Sequence, residues 1–226
     1  MNVLIVGCGY VGLSTAVLLS QKNDVVICDV DEQKVKMVNQ RRAPFLDADI
    51  NKYLSHNERI HAVLPSEIDY NLFDYLIIAV QTNIDDTNND LDTSIVEDII
   101  NRIYTSKTTI VIRSTISFDF ARKLERDYSS DPILYCPEFL REGTALNDVL
   151  HPDRIIVGGN KKLAQKYIEL FLSEISLPIS KIIYVSLIEA TMIKLFANSF
   201  LALRIAFFNE LDTFALLNNL NSQRII

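Results

Sequence analysis

Residues 2–29 read NVLIVGCGYVGLSTAVLLSQKNDVVICD, and this stretch decides the fold. An apolar run ending at Val6 leads into a glycine turn and a helix-forming segment, and a second apolar run, Val25 to Cys28, closes on the acid Asp29. Strand, glycine turn, helix, strand and terminal acid in this order form a dinucleotide-binding unit. Gly7 lets the chain turn tightly off the first strand, Gly9 lets backbone amides approach a pyrophosphate, and Gly12 lets the helix pack close to the sheet. The phosphates are expected at the positive N-terminal end of that helix, beside Tyr10 and Val11. Asp29 follows the turn by about 20 residues, where a carboxylate accepts hydrogen bonds from an adenosine ribose and repels a 2′-phosphate. NAD is therefore expected over NADP. The plain alternative, a glycine turn between any strand and helix, leaves the second strand and its acid unaccounted for.

Outward from this unit, Val- and Ile-rich runs recur at 2–6, 25–28, 75–80, 109–112, 133–136, 154–158 and 181–185. Buried parallel strands have this near-continuous apolar character. Amphipathic stretches predict helices over 11–22, 31–41, 94–105, 118–128 and 161–173, with Asp92 as N-cap of the third. The alternation specifies an α/β fold, Rossmann-like and doubly wound, with a mainly parallel sheet. Asp85 to Asp92 reads as a solvated acidic loop. After the last strand, 188–218 reads as one long helix whose apolar positions cover more than a single stripe, the mark of a helix buried on several sides. It is expected to join domains or form a subunit interface, with packing on its own sheet as the alternative.

Composition narrows the function classes. A net charge of −7 over 226 residues argues against a general nucleic-acid or anionic-membrane surface, while leaving room for a local basic pocket. The chain opens as a strand, without a basic start or cleavage site, and the apolar segment from Ile188 to Leu220 is interrupted by Glu189, Lys194, Asn198, Arg204 and Glu210. A soluble cytoplasmic protein is expected, without a membrane span. Cys8, Cys28 and Cys136 are odd in number and lack metal-ligand or redox spacing, so reduced thiols and no metal site are expected.

Three segments lie where strands end, the place at which open parallel sheets present ligands. Thr82 leaves the third predicted strand and Thr115 the fourth; each hydroxyl suits cofactor or substrate, and each suits a turn or helix cap as well. After the fifth strand comes CPEFLREGTALND, residues 136–148, the densest polar cluster in the chain. Glu138 and Glu142, four apart around Arg141, read either as a solvated helical face or as a site holding a base that activates water. On the long helix, Lys194 and Asn198 share a face amid apolar residues. They form either a structural hydrogen-bonding pair or a site that stabilises a developing oxyanion.

Together, GCGYVGL at 7–13, Ser114-Thr115-Ile116, PEFLREGTA at 137–145 and Lys194-Leu195-Phe196-Ala197-Asn198 resemble the UDP-glucose 6-dehydrogenase family, in the family's order and across essentially the whole chain. Related UDP-N-acetylmannosamine and GDP-mannose dehydrogenases share the architecture. The wording Phe139-Leu140-Arg141 and His151-Pro152-Asp153-Arg154-Ile155 looks nearest to the UDP-glucose branch. The resemblance implies two NAD-linked oxidations of the sugar's primary alcohol, through an enzyme thioester, to UDP-glucuronate. It implies that Val11, Asp29, Lys34, Thr82, Thr115 and Glu142 contact NAD, and that Glu138, Phe139, Leu140, Arg141, Glu142, Lys194 and Asn198 line the UDP-glucose site. Glu138 would assist thioester hydrolysis, Thr115 place the water, and Lys194 with Asn198 steady the charged oxygen. A homodimer built on the 188–218 helix is implied too.

This sequence departs from the family in carrying no Gly-Gly-Tyr-Cys-like segment, and each of its three cysteines reads as a small packing residue. Gln81 and Ser117 stand where the family often has proline. The expectation is an NAD-binding Rossmann domain over 1–187, then a connecting helix and the start of a central domain over 188–226, in an N-terminal fragment that binds NAD without completing the oxidation. The competing reading from another class is a non-catalytic NAD-binding or assembly module, which has no use for Glu138, Lys194 and Asn198 together.

Overall fold

The structure, a computed structural model, describes residues 1–85, 90–103, 108–128, 132–141, 143–175 and 177–226. The opening unit is β1 (Asn2–Val6), α1 (Tyr10–Leu19) and β2 (Asp24–Cys28), followed by α2 (Glu32–Asn39), α3 (Ala48–His56) and β3 (Ile60–Val63). Next come β4 (Tyr75–Ile78), a short hairpin of β5 (Ile84–Asp85) and β6 (Asp90–Leu91), α4 (Ser94–Ile103), β7 (Thr109–Ile112) and α5 (Phe118–Asp127). The chain continues through β8 (Ile133–Tyr135), α6 (Ala145–Leu150), β9 (Ile155–Gly159), α7 (Lys161–Glu169), β10 (Ile182–Val185) and α8 (Leu187–Leu217).

Eight strands form one sheet in the order β10-β9-β8-β7-β4-β1-β2-β3. From β3 to β8 all neighbours are parallel; β9 pairs antiparallel with β8, and β10 runs parallel to β9. Side-chain alternation divides each central strand between two cores. Val3, Ile5, Ile77 and Val111 pack with α1, α3 and α7 on one face, while Leu4, Leu76, Ile78 and Ile112 pack with α4, α5 and the start of α8 on the other. The doubly wound, mainly parallel sheet of the sequence reading is therefore present.

All seven expected sheet strands form. Reading by apolar run missed β3, whose four residues include the exposed His61, and the short helices α3 and α6. The expected helix over 94–105 runs to Ile103, with 104–105 outside the described residues. Asp92 does act at its start, accepting from the Ser94 N–H at 2.9 Å. The Asp85–Asp92 segment is less open than a solvated loop, because its ends pair as β5 and β6; 86–89 lie outside the described residues.

Ser186 and Glu189 close a reciprocal capping box that starts α8. Its first turns dock on the sheet: a Cβ on Gly158 of β9 would lie 2.7 Å from the Ser186 carbonyl oxygen and 2.8 Å from the Ala190 Cβ. Leu187, Ala190, Thr191 and Lys194 are buried there. Burial of the whole helix, as expected from its apolar perimeter, is not found. Beyond Leu195 the helix is almost wholly exposed, Phe200 at 60% and Phe207 at 62%, because one sheet offers only one end of a 31-residue rod a surface to pack on. By length and composition alone α8 is long and apolar enough to cross a membrane.

Candidate functional site

The chain winds from β1 through β2 to β3 on one side, then crosses to β4 on the other. This reversal opens a crevice at the carboxyl ends of β1 and β4. Gly7 leaves β1 at φ +108°, and a Cβ there would come within 2.3 Å of the Ala79 carbonyl oxygen. At Gly12 a Cβ would meet the Gly7 carbonyl oxygen at 1.9 Å, so α1 lies directly on the turn. Gly9 differs, since nothing lies within 4 Å of a Cβ built on it. The first turn of α1 has no side-chain cap and no acid, which leaves its N–H groups and the space before Gly9 suited to a phosphate group.

Around this turn, Tyr10 stacks on Phe45 with ring centroids 4.0 Å apart, and Val11 faces the crevice. Asp29 reaches back from the end of β2, its Oδ2 accepting from the Cys8 N–H at 2.7 Å and its Oδ1 from the Asp31 N–H at 3.0 Å. Lys34, on α2, is near enough to Cys8 for its charge to act on that thiol.

A cavity of about 220 Å³ lies at the ends of β4 and β7, lined by Val11, Thr82, Arg113, Thr115 and Glu138 among others. Thr82 donates its hydroxyl to the Thr115 carbonyl at 2.8 Å, joining the two loops. Beside it opens a larger cleft of about 610 Å³, and Arg113 and Glu138 line both.

Lys194 and Glu138, 56 residues apart in sequence, meet at this wall. The Lys194 ammonium donates to the Glu138 carbonyl oxygen at 2.7 Å and to Oε1 at 3.1 Å. The helix fastens the 137–141 loop by both bonds. Glu138 Oε2 is buried with no hydrogen-bond partner among the described residues, an acceptor held ready beside a fixed cation. Phe139 carries Lys194 at 5.3 Å and Arg154 at 5.0 Å from its ring centroid, both within cation–π range.

Arg141 lines the larger cleft together with Asp148: its guanidinium bonds both oxygens of Asp148, at 3.2 and 2.8 Å, and its own N–H donates to the same carboxylate at 2.8 Å. Leu140 lines the larger cleft, while Asn198, one turn beyond Lys194, is exposed and belongs to neither cavity lining. Glu142 lies outside the described residues. The structure thus brings Glu138, Phe139 and Lys194 into contact and sets Thr115 with Glu138 in the lining of the smaller cavity, while Asn198 is exposed. Reading by residue type missed Arg154 and Arg204 as lining of the cleft. The available signal was a lone arginine at a strand entry and another on an otherwise apolar helix.

The three cysteines are buried and unpaired. Burial, reinforced by the nearby Asp29, pushes the Cys8 thiol up to about 12 and the Cys28 thiol to about 11; burial also raises Cys136. All three stay protonated at pH 8. Alkylation by iodoacetamide at that pH is expected to run on the order of 100-fold slower per thiol in the native chain than in urea. Rapid labelling of any one of them would contradict this assignment.

Fold and site together define a dinucleotide-binding dehydrogenase domain. The chain belongs to the UDP-glucose/GDP-mannose dehydrogenase family: the family's NAD binding domain matches residues 1–175 and its central domain matches 188–226. The UDP-glucose 6-dehydrogenase of Campylobacter jejuni is 38% identical over 100% of this chain and 59% of its own length. That of Streptococcus pneumoniae is 40% identical over 100% of this chain and 60% of its own. Among solved structures, a ternary complex of GDP-mannose dehydrogenase from Pseudomonas aeruginosa superposes with a TM-score of 0.86 at 25% identity, covering 100% of this chain and 55% of that one. A UDP-glucose dehydrogenase from Pyrobaculum islandicum gives 0.86 at 26%, covering 99% and 55%. The chain thus spans about three-fifths of the length of the curated relatives it matches.

Proposed function

We propose that this chain supplies the cofactor-binding half, residues 1–187, and the connecting helix, from 188, of an NAD-dependent UDP-glucose 6-dehydrogenase. The activity is oxidation of the sugar's primary alcohol to the carboxylate of UDP-glucuronate, in two steps joined by an enzyme thioester. The observation that carries this reading is the buried Lys194–Glu138 pair, whose Glu138 lines both cavities and shares the smaller one with Thr115. A protein that only sensed NAD has no need of an ammonium and a carboxylate there. Both curated relatives above bear the name UDP-glucose 6-dehydrogenase, which supports this sugar nucleotide over GDP-mannose.

When bound, NAD supplies the hydride acceptor. The chain's own groups do the rest: Gly7 to Gly12 seat the pyrophosphate, Asp29 the adenosine ribose, and Lys34, Thr82 and Glu142 complete the cofactor contacts. Phe139, Leu140 and Arg141 border the sugar. Lys194, with Asn198, steadies the oxygen that gains negative charge, Thr115 orients water, and Glu138 takes its proton as that water attacks the thioester. The thiol of that thioester is none of Cys8, Cys28 and Cys136, whose burial keeps them protonated, so residues 1–226 alone are proposed to bind NAD without turning over.

Calorimetric titration tests the cofactor assignment. NAD is expected to bind at least about tenfold more tightly than NADP, and Gly9→Ala to keep the melting temperature while weakening NAD at least about tenfold, since its methyl fills only the phosphate space. Equal binding of NAD and NADP, or an unaffected Gly9→Ala, would overturn it.

We also place the protein in the cytoplasm as a homodimer formed through the exposed 188–218 helix, whose Phe196, Phe200, Leu203 and Phe207 are more than half exposed in one chain. Light scattering is expected to report twice the chain mass at micromolar concentration. A constant monomer mass would remove this assembly.

A further inference from the structure

We propose that Asp29 is a positioning residue that holds the glycine turn in its anion-binding shape, a role separate from its contact with ribose. The proposal rests on the NAD reading of the turn. Cys8 sits between two glycines, the residue type with the greatest backbone freedom, and Gly9 has no side chain to anchor it. Two ties fix this segment from outside. The Gly7 N–H donates to the Cys28 carbonyl at 2.8 Å, and the Cys8 N–H donates to Asp29 Oδ2 at 2.7 Å. The second oxygen, Oδ1, accepts from the Asp31 N–H at 3.0 Å, which orients the carboxylate from the α2 side.

A carboxylate has about four acceptor positions on its two oxygens. Two are used by the chain itself, one on each oxygen, which leaves one on each for the two hydroxyls of a ribose. Asp29 can therefore brace the turn and bind the nucleoside at once. An amide in its place keeps only one of the two chain bonds, because only one of its ends accepts, and its NH2 group then faces either the Cys8 or the Asp31 N–H.

The two roles predict opposite signs for a ligand without ribose hydroxyls. Removing a negative charge beside a diphosphate strengthens binding through electrostatics alone. Loosening the turn weakens it.

The test is calorimetry of 2′,3′-dideoxyadenosine diphosphate with the full 226-residue chain and its Asp29→Asn variant. The brace predicts at least about tenfold weaker binding by the variant. Asp31→Asn, which removes an equal charge but keeps the Asp31 N–H, is expected to bind as well as the unaltered chain or better. Unchanged or tighter binding by Asp29→Asn overturns the proposal, as does an equal loss in Asp31→Asn.

Amide hydrogen exchange of the unaltered, ligand-free chain gives a readout that needs neither a variant nor a ligand. The Cys8 amide is expected to be protected at least about 100-fold relative to an unstructured peptide. Unprotected exchange at Cys8 overturns the brace even where the nucleotide binds, and a protected Cys8 in a chain that binds no nucleotide leaves the brace standing while the NAD reading falls.

Discussion

Lys194→Met is expected to destabilise the chain by about 3 to 5 kcal/mol, read as a lower urea midpoint at unchanged slope. Methionine matches the length and apolar stem of lysine, so packing against Phe139 changes little and the loss isolates the ammonium. Lys194 is 6% exposed, and its ammonium is the hydrogen-bond donor to both the carbonyl and Oε1 of Glu138. Without it a mostly buried carboxylate faces its own backbone carbonyl with neither oxygen partnered, since Oε2 already lacks a partner among the described residues. Adding Glu138→Gln to the variant is expected to recover more than half of the loss, because a neutral amide tolerates burial that a carboxylate does not. A cost below about 1 kcal/mol for Lys194→Met would show that the pair is hydrated like a surface ion pair.

Gly12→Ala is expected to cost about 3 kcal/mol, lowering the melting temperature by roughly 6 to 12 °C for a domain of this size. The added methyl would stand 1.9 Å from the Gly7 carbonyl oxygen, and a backbone atom cannot rotate out of the way as a side chain does. Alanine's better helix propensity returns only about 1 kcal/mol of this. Relief requires α1 to lift from β1, which disturbs Gly7 in turn, so the variant should lose NAD binding along with stability. Gly9→Ala is the contrast, losing the ligand and keeping the melting temperature. If both glycines behaved alike, the turn would not have the geometry described.

The opening unit was legible because its signals are local: four apolar residues in the first strand, three glycines at fixed spacing, and an acid at the end of the next strand. The same holds for the extent of α8, whose apolar length is written in consecutive residues. Short elements were not legible. β3 has only four residues, one of them the exposed His61, and α6 has six, so neither repeats its period enough to stand out. The site was legible in its members and not in its pairings. The residues themselves pointed to Glu138 and Lys194 separately and only the family resemblance put them in one site, because no period in the sequence joins residues 56 apart; the fold does, by running β8 into the base of α8. Arg141 does line the larger cleft, but its tie to Asp148, seven residues on across a turn, is a pairing that residue type alone does not reveal. Asn198 shares a helix face with Lys194 and is exposed outside both cavity linings, whereas Leu201 and Arg204 farther along the helix line the larger cleft.

The place at which α8 is seated has a mechanical consequence. The close approach of Gly158 to Ser186 and Ala190 is a fulcrum near one end of the rod. At 1.5 Å per residue, Lys194 stands about 6 Å beyond Ala190 and Leu217 about 40 Å beyond it. A swing of the free end therefore reaches the Lys194 backbone reduced to about one-seventh. The helix is thus a lever geared down toward the cavities, any displacement of its outer turns reaching the Lys194 backbone at a small fraction of its size.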